Sequence, residues 1–374
     1  MSQKFGIVPT KEMDIIPNMA SSYVGAKIVH QGDLVFNKLK AHLGVFAISN
    51  YDGLVSPDYA VYTPTRMTIL PYLELLLRTQ YYITEFQKKT TGVAIGLTRL
   101  YTSGLFSISA IYPPLSEQQR IVNFLETKTK KIDQYIAEKE KQVQLLEEYK
   151  QTLIANAVTK GLNKNVKMKD SGIPWIGMIP EHWEVKKLSQ ACCEHFISNK
   201  NVHHQNLLSL SYGKIIRKDI NTTDGLLPAS FDTYQIVEPK NIILRLTDLQ
   251  NDHKSLRVGI ANEEGIITSA YVCISLYNTD YIPQYIYNIL HSYDIKKLFY
   301  SLGGGLRQNL NWQGLKKIDI PLPSKDEQEK IVSYIEEKCS KVDFLISDLE
   351  TEITHIKEFK QRLIADCVTG QIKV

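Results

Sequence analysis

A long internal repeat constrains the fold of this chain more than any other feature of its sequence. Residues 117–159 recur at residues 327–369 with a constant offset of 210, and 18 of the 43 paired positions are identical without a gap. Each copy follows a proline and opens with a helix-start signal, at Ser116 and at Asp326, with Gln or Glu three residues later. The repeat therefore predicts two long helices of the same kind.

Both copies carry an apolar heptad pattern sustained over five heptads. Seven of the ten a and d positions are apolar in the first copy and nine of ten in the second. This pattern is typical of a coiled coil, and helices of about 44 residues would extend roughly 65 Å. We expect the two helices to pair antiparallel along a seam formed by Leu125, Ile132, Ile136, Val143, Leu146, Leu153, Ile335, Val342, Ile346, Leu349, Ile353, Ile356 and Leu363.

The charges of the two helical segments favour this pairing. Residues 116–169 carry 11 basic and 7 acidic residues, a net of +4, whereas residues 326–374 carry 7 and 11, a net of −4. The alternative is two separately solvated helices whose charges balance by accident. Lys150 and Lys360 occupy the same a position in the two copies, where a buried charge is costly, and we expect them to fix the register or to face another chain.

Composition places the chain in an ordinary globular class. A length of 374 residues predicts two or more domains, and a hydrophobic content of 43% suffices for their cores. The sequence has no run of 18 apolar residues and no signal-peptide pattern, so we expect a cytoplasmic protein without a membrane partner. The five cysteines lack paired spacing, which argues against a disulfide framework. A net charge of +4 is too mild to identify a nucleic-acid binder.

The segments that precede the two helices also repeat. Residues 53–59 match residues 265–271, and residues 71–81 match residues 283–293. Short β-rich runs come first in each segment, followed by an amphipathic helix, which spans residues 71–89 in the first copy. We predict a mixed α+β chain with internal duplication: a first domain over 1–115, a helix over 116–160, a linker over 161–169, a second domain over 170–325 and a helix over 326–374.

The two copies differ at their start. The second opens at Met168, whereas the first joins the repeat near Phe5-Gly6, which aligns with Tyr212-Gly213. About forty residues of the opening have no counterpart in the first copy. We therefore expect the first domain to be incomplete at its N-terminus.

Several spaced signatures resemble one protein family. The sequence reads GIPWIGMIPEHWEVKKL at 172–188, PLP at 321–323 before DEQEKIV at 326–332, and LIADCVTG at 363–370. In this order they resemble the specificity subunit of type I restriction-modification enzymes, and the resemblance covers essentially the whole chain.

The resemblance implies two target-recognition domains, each reading one half of a split site in double-stranded DNA, joined by two spacer helices. It implies a non-catalytic chain in a host-defence complex that also contains methylation subunits, with two expected, and a restriction subunit. Those partners would hold S-adenosylmethionine, ATP and magnesium, while this chain needs no cofactor of its own. The alternatives are a coiled-coil adaptor or inactive truncated subunit without independent DNA binding and, less favoured, a nuclease or methyltransferase.

Catalytic and metal-binding motifs in the chain are incomplete. Tyr112-Pro113-Pro114 lacks the Asn or Asp of an amino-methyltransferase motif, and Asp58 lacks a plausible nuclease partner outside the helices. Gly303-Gly304-Gly305 is not a complete dinucleotide fingerprint. Cys192 and Cys193 are adjacent, so they cannot readily share one tetrahedral ion. We interpret these residues as turns, loops and core thiols.

Two polar loops of the second domain, over 245–257 and 303–309, are candidate recognition loops. Arg and Lys pair with guanine in the major groove, and Asn and Gln pair with adenine. The alternative is that these are solvated loop charges, and we interpret Tyr212 and Tyr271 as core residues. The residues predicted to bind DNA, including those of the first domain, are Lys38, Lys40, His42, Arg99, Arg217, Arg245, Gln250, Lys254, Arg257, Arg307 and Gln308.

Overall fold

The computed structural model describes residues 6–12, 24–64, 68–92, 98–201, 204–221, 230–250, 256–303 and 309–374. The chain divides into two compact units. The first comprises Met1–Gln142 and Asp348–Val374, and the second comprises Val143–Ser347. Within these described ranges, no helix combines the length and the apolar character needed to cross a membrane.

The two repeat copies form long helices, α4 (Leu115–Lys160) and α8 (Lys325–Val368). All twenty a and d positions are buried or half-buried, including every residue of the predicted seam. Between residues 126 and 152 of α4, all positions outside a and d are exposed. The heptad prediction is therefore confirmed, because burial follows the 3.5-residue period along both helices.

Ion pairs between α4 and α8 show that the helices run antiparallel. In the first unit, Lys360 Nζ lies 2.7 Å from both carboxylate oxygens of Asp133. In the second unit, Lys150 Nζ lies 2.7 Å from Asp343 Oδ2. These contacts are repeat equivalents, since both the lysines and the aspartates are 210 residues apart. The two a-position lysines thus have partners on the opposite helix, and each pair specifies the same register.

The α/β part of the first unit is built on a small antiparallel sheet. Strand β2 lies between β3 and β5, and β1 pairs with β4. Phe36 on β2 stacks on Phe46 of β3 with ring centroids 4.6 Å apart, and both join a core that includes Leu125 of α4 and Cys367 of α8. The elements before α4 are β1 (Lys27–Val29), β2 (Leu34–Asn37), β3 (Phe46–Ile48), β4 (Gly53–Val55), β5 (Tyr59–Tyr62), α1 (Leu70–Leu77), α2 (Gln80–Lys89) and α3 (Thr102–Phe106).

The prediction of a single amphipathic helix over 71–89 is wrong, because the helix is interrupted between α1 and α2. Thr79 has extended backbone angles and begins α2. Arg78 ends α1, and its guanidinium donates to the Phe46 carbonyl at 2.6 Å and to the Glu74 carboxylate at 2.7 Å. The break therefore lets Arg78 bind the start of β3.

The second unit contains a larger set of antiparallel strands. Its central sheet has the order β15-β14-β17-β9, and Trp183, Ile242 and Tyr285 lie fully buried in its main core. The elements are β6 (Met168–Asp170), β7 (Met178–Pro180), β8 (Glu184–Lys187), β9 (Cys192–Glu194), β10 (Ile197–Ser198), β11 (Leu208–Ser211), β12 (Lys214–Arg217), β13 (Gln235–Val237), β14 (Ile242–Leu244), β15 (Val258–Ile260), β16 (Gly265–Ile267), β17 (Val272–Leu276), α5 (Pro283–Ile295), α6 (Leu298–Leu302), α7 (Trp312–Leu315) and β18 (Asp319–Leu322).

Equivalent contacts in the two units confirm the internal duplication. The triplet β3-β2-β5 of the first unit has the same order and direction as β15-β14-β17 of the second. Tyr72 on α1 donates its hydroxyl to the Val368 carbonyl near the end of α8 at 3.0 Å. Tyr285 on α5 donates to the Val158 carbonyl near the end of α4 at 3.3 Å. Since Val158 and Val368 are 210 residues apart, each domain is anchored to the corresponding turn of a helix.

Candidate nucleic-acid interface

The loop between β14 and β15 contains most of the residues predicted to read DNA in the second domain. Its two ends are joined by a hydrogen bond of 2.8 Å from the Arg245 amide to the Arg257 carbonyl. Arg245 is half-buried, and Gln250 is exposed in a turn. Lys254 lies outside the described residues. The loop therefore presents a guanidinium and a carboxamide at one end of the central sheet, beyond the last residues of β14 and the first of β15.

Arg257 was predicted to contact DNA, but its side chain is fully buried and cannot reach a DNA duplex in this structure. Its guanidinium donates to the carbonyls of Arg245 at 3.1 Å, Thr247 at 2.9 Å and Asp248 at 3.3 Å, and to the Tyr300 hydroxyl at 3.0 Å. A buried cation requires such partners. Arg257 consequently holds the first half of the loop from the inside.

The second candidate loop contacts the first at the same end of the central sheet. The Leu310 amide donates to the Leu246 carbonyl at 2.9 Å, and the Asp248 amide donates to Asn309 Oδ1 at 2.8 Å. Asp248 has a φ of +55°, a left-handed conformation that Asp tolerates better than most residues. Arg307 and Gln308 lie outside the described residues. Residues 246–248 of the first loop and 309–310 of the second, far apart in sequence, are therefore in direct contact. We call this region, together with Arg245 and Gln250, the loop surface of the second unit.

The first unit repeats this arrangement. Lys38, Lys40 and His42 lie between β2 and β3, the counterparts of β14 and β15. The Leu100 amide donates to the Lys38 carbonyl at 2.9 Å, just as Leu310, 210 residues later, donates to Leu246. Arg99, beside Leu100, pairs with Asp58 at 3.2 Å. The structure therefore brings Lys38 and Arg99 together, as it does the two loops of the second unit.

His42 and Arg217 are less favourably placed. His42 is half-buried, and its Nδ1 atom is buried without a hydrogen-bond partner among the described residues. It lines a cavity of about 1080 Å³ together with Lys357 and Lys360 of α8. Arg217 lies opposite Leu208 at the open end of the β11–β12 hairpin and donates Nε to Glu263 Oε2 at 2.7 Å. Neither side chain joins the loop surface of its unit.

The ionic pair at Arg217 is local. The hydrogen bond from its guanidinium lowers the pKa of Glu263 below its usual value, and Glu263 in turn raises the pKa of Arg217. The Arg217 side chain is exposed and that of Glu263 is partly exposed, and such surface pairs contribute little to stability. Arg217 therefore serves as an internal control for the loop residues, because it is an arginine of the same domain that lies at the open end of the β11–β12 hairpin and outside the loop surface.

The cysteines and the Tyr-Pro-Pro segment make structural contacts among the described residues. Burial raises the pKa of Cys192 to about 12, so its thiol stays neutral in the core. Cys193 Sγ lies 3.3 Å from the Ser275 hydroxyl. The Pro114 carbonyl accepts the amides of Glu117 and Gln118 in the first turn of α4, so the Tyr-Pro-Pro segment leads directly into this helix. No group of three or more potential metal ligands occurs in these parts of the chain.

Sequence reasoning missed two residues at the loop surface. Asn309 supports the Asp248 amide from the neighbouring loop. Tyr212, interpreted from sequence as a core residue, is 82% exposed at the tip of the β11–β12 hairpin. The signal was present, because Tyr212-Gly213 lies between two β-rich runs, and an X-Gly pair there is typical of a two-residue hairpin turn. Tyr271, the other tyrosine interpreted from sequence as a core residue, is half-buried and packs against a small core cluster of the second unit.

Comparison with known proteins identifies the family. A family model described as the type I restriction modification DNA specificity domain matches residues 7–145 and 180–355. The chain is 25% identical over 358 residues to the putative type I restriction enzyme MjaX specificity subunit of Methanocaldococcus jannaschii, covering 92% of this chain and 79% of that protein. It is 26% identical over 323 residues to the type I restriction enzyme MjaVIII specificity subunit of the same organism, covering 81% of this chain and 70% of that protein.

A solved structure supports the fold. It concerns complex assembly and conformational transition of the type I R-M system; one of its chains has a TM-score of 0.67 to this chain at 16% identity, covering 94% of this chain and 84% of that one. The specificity-domain model matches twice, once in each half of the sequence, as the internal duplication requires. The chain therefore belongs to the family of type I restriction-modification specificity subunits.

Proposed function

We propose that this chain reads a bipartite double-stranded DNA target, with one half-site assigned to each recognition domain, and that it carries out no chemistry itself. Methyl transfer and cleavage belong to methylation and restriction subunits, which supply S-adenosylmethionine, ATP and magnesium. One observation carries this proposal: in each unit two loops contact each other at one end of a sheet. The contact is made by Leu310 and Leu246 in the second unit and by Leu100 and Lys38 in the first. Two copies of one reading surface in one chain suit two half-sites.

The chemistry of the loop surface suits a DNA duplex. The guanidinium of Arg245 can approach the two acceptors of guanine, and the carboxamide of Gln250 can pair with adenine. In the first domain, Lys38, Lys40 and Arg99 supply positive charge for phosphates or guanine. The small net charge of the chain is then no obstacle, because phosphate contacts depend on the cations at the contact surface and not on the charge of the whole chain.

The helix pair offers a docking surface for the methylation subunits, two of which we expect. Within the second unit, four large apolar side chains of α4 and α8 are between 50% and 66% exposed: Leu145, Tyr149, Phe344 and Leu345. They lie outside the a and d seam, so pairing of α4 with α8 leaves them uncovered. Exposed apolar side chains in such a group are typical of protein interfaces.

Arg245→Ala tests the DNA-reading role directly. In a complex reconstituted with its methylation subunits, this variant should lose about 1–3 kcal/mol of specific binding, as expected for one guanine contact. Fluorescence anisotropy on duplexes with the specific and a scrambled site measures this difference. Arg217→Ala is the matched control and should bind like the parent. If Arg245→Ala also binds both duplexes like the parent, the loop does not face DNA.

A further inference from the structure

The tip of the β11–β12 hairpin has a costly backbone conformation. Ser211 pairs with Lys214, so the turn consists of Tyr212 and Gly213 alone. Their φ angles are +46° and +78°. Two-residue turns with two positive φ values favour Asn, Asp or Gly at the first position, because a bulky side chain is strained there. Tyrosine is therefore a poor choice for making this turn.

Packing does not explain the tyrosine either. Tyr212 is 82% exposed, so its ring buries little apolar surface. A residue that adds backbone strain without contributing to the core is a candidate for function. Its neighbour Lys214 is also exposed, which places a ring and a cation side by side at the tip.

The tip lies beside the loop surface of the second domain. A Cβ atom on Gly213 would lie 3.2 Å from Leu256 Cβ and 3.5 Å from the Val258 carbonyl oxygen. Leu256 and Val258 flank Arg257, whose guanidinium binds the Arg245 carbonyl. Close packing at Gly213 therefore fixes Tyr212 next to the loop that contains Arg245.

The first domain repeats the aromatic-glycine pair. Phe5-Gly6 aligns with Tyr212-Gly213, and Gly6 has a φ of +62°. A Cβ atom on Gly6 would lie 3.2 Å from Ala47 Cβ on β3, the counterpart of β15. Phe5 lies outside the described residues. The sequence thus provides an aromatic ring before the equivalent glycine of each reading surface.

We infer that Tyr212 is a DNA-contacting residue, with its ring packed against the bases or sugars next to those read by the Arg245 loop and Lys214 at a phosphate. This inference rests on the proposed function. Aromatic rings stack on any base and wedge between base steps, so the contact would add affinity with little sequence preference. The hairpin would therefore strengthen binding to the half-site that the loop selects.

Tyr212→Asn separates this role from a structural one. Asparagine suits the turn, so the variant should unfold at the same or higher denaturant concentration than the parent. Its affinity for DNA should nevertheless fall, roughly tenfold for one lost stacking contact. Tyr212→Phe keeps the ring and should bind within about twofold of the parent. The control is Tyr277→Asn, which should bind normally. Tyr277 is an exposed tyrosine that follows Leu276 of β17, at the end of the central sheet opposite the β14–β15 loop.

The binding experiment uses the complex with its methylation subunits, and photo-crosslinking to duplexes that contain 5-iododeoxyuridine locates the contact. The expected crosslink is on the peptide that contains Tyr212. If Tyr212→Asn binds like the parent while Arg245→Ala is weakened, the inference about Tyr212 is wrong and the proposed function stands. If both bind like the parent, the proposed function fails as well. If Tyr212→Asn instead loses its methylation subunits, the ring contacts protein and the inference is overturned.

Discussion

Replacing Arg257 with methionine should destabilise the second unit strongly. The side chain is fully buried and donates to three backbone carbonyls and one hydroxyl, none of which methionine can satisfy. Each buried carbonyl that loses its partner costs about 1–3 kcal/mol. Relief from burying the charge offsets part of that loss, so we expect a net decrease of about 3–5 kcal/mol in the free energy of unfolding.

Tryptophan fluorescence is a selective assay for this change, because the three tryptophans of the chain, Trp175, Trp183 and Trp312, all lie in the second unit. For a unit of this size, the expected loss lowers the unfolding temperature by roughly 6–20 °C. Arg245→Met is the matched control, since Arg245 is only half-buried. A fluorescence midpoint for Arg257→Met within 2 °C of the parent corresponds to a loss of at most about 1 kcal/mol and would refute the conclusion that the guanidinium holds the loop.

Three further experiments test individual side chains of the second unit. Tyr285→Phe removes a hydroxyl that lies within hydrogen-bond distance of two buried carbonyls, those of Pro321 at 3.1 Å and Val158 at 3.3 Å. The variant should lower the unfolding free energy by about 1–3 kcal/mol in denaturant titrations followed by tryptophan fluorescence. Burial lowers the pKa of His291 from 6.5 to about 4, so the folded state stays neutral while the unfolded chain binds a proton. Stability should fall as the pH drops from about 6.5 to about 4, and His291→Gln should flatten that dependence in titrations across this range. A double-mutant cycle of Lys150 and Asp343 should give a coupling below about 1 kcal/mol, because both side chains are partly exposed.

The coiled coil could be predicted from sequence because its determinants are local and repeated. The spacing of apolar residues such as Leu125, Ile136 and Ile353 fixes which face of each helix is buried. The presence of two such helices in one chain supplies the partner. The acidic partners of Lys150 and Lys360 were not predicted, since they depend on the register between the helices.

The roles of individual loop residues depend on contacts distant in sequence, so the loop composition alone misled. Arg257 is buried because Asp294 and Tyr300, 37 and 43 residues later, bind its amide and guanidinium. Arg217 lies at the open end of its hairpin, opposite Leu208, a position set by strand register. The same register places Tyr212 at the tip, in solvent. Side-chain type predicted chemistry at these positions, while tertiary structure decided exposure.

The central claim is that two reading surfaces in one chain specify a divided DNA target. Single-molecule sequencing of methylated adenine tests it most directly, in cells that express the methylation subunits with the parent chain, with Arg245→Ala, or without the chain. We predict a two-part motif that disappears without the chain and that Arg245→Ala relaxes in one half alone. Methylation of an unchanged motif in the absence of this chain would contradict the account.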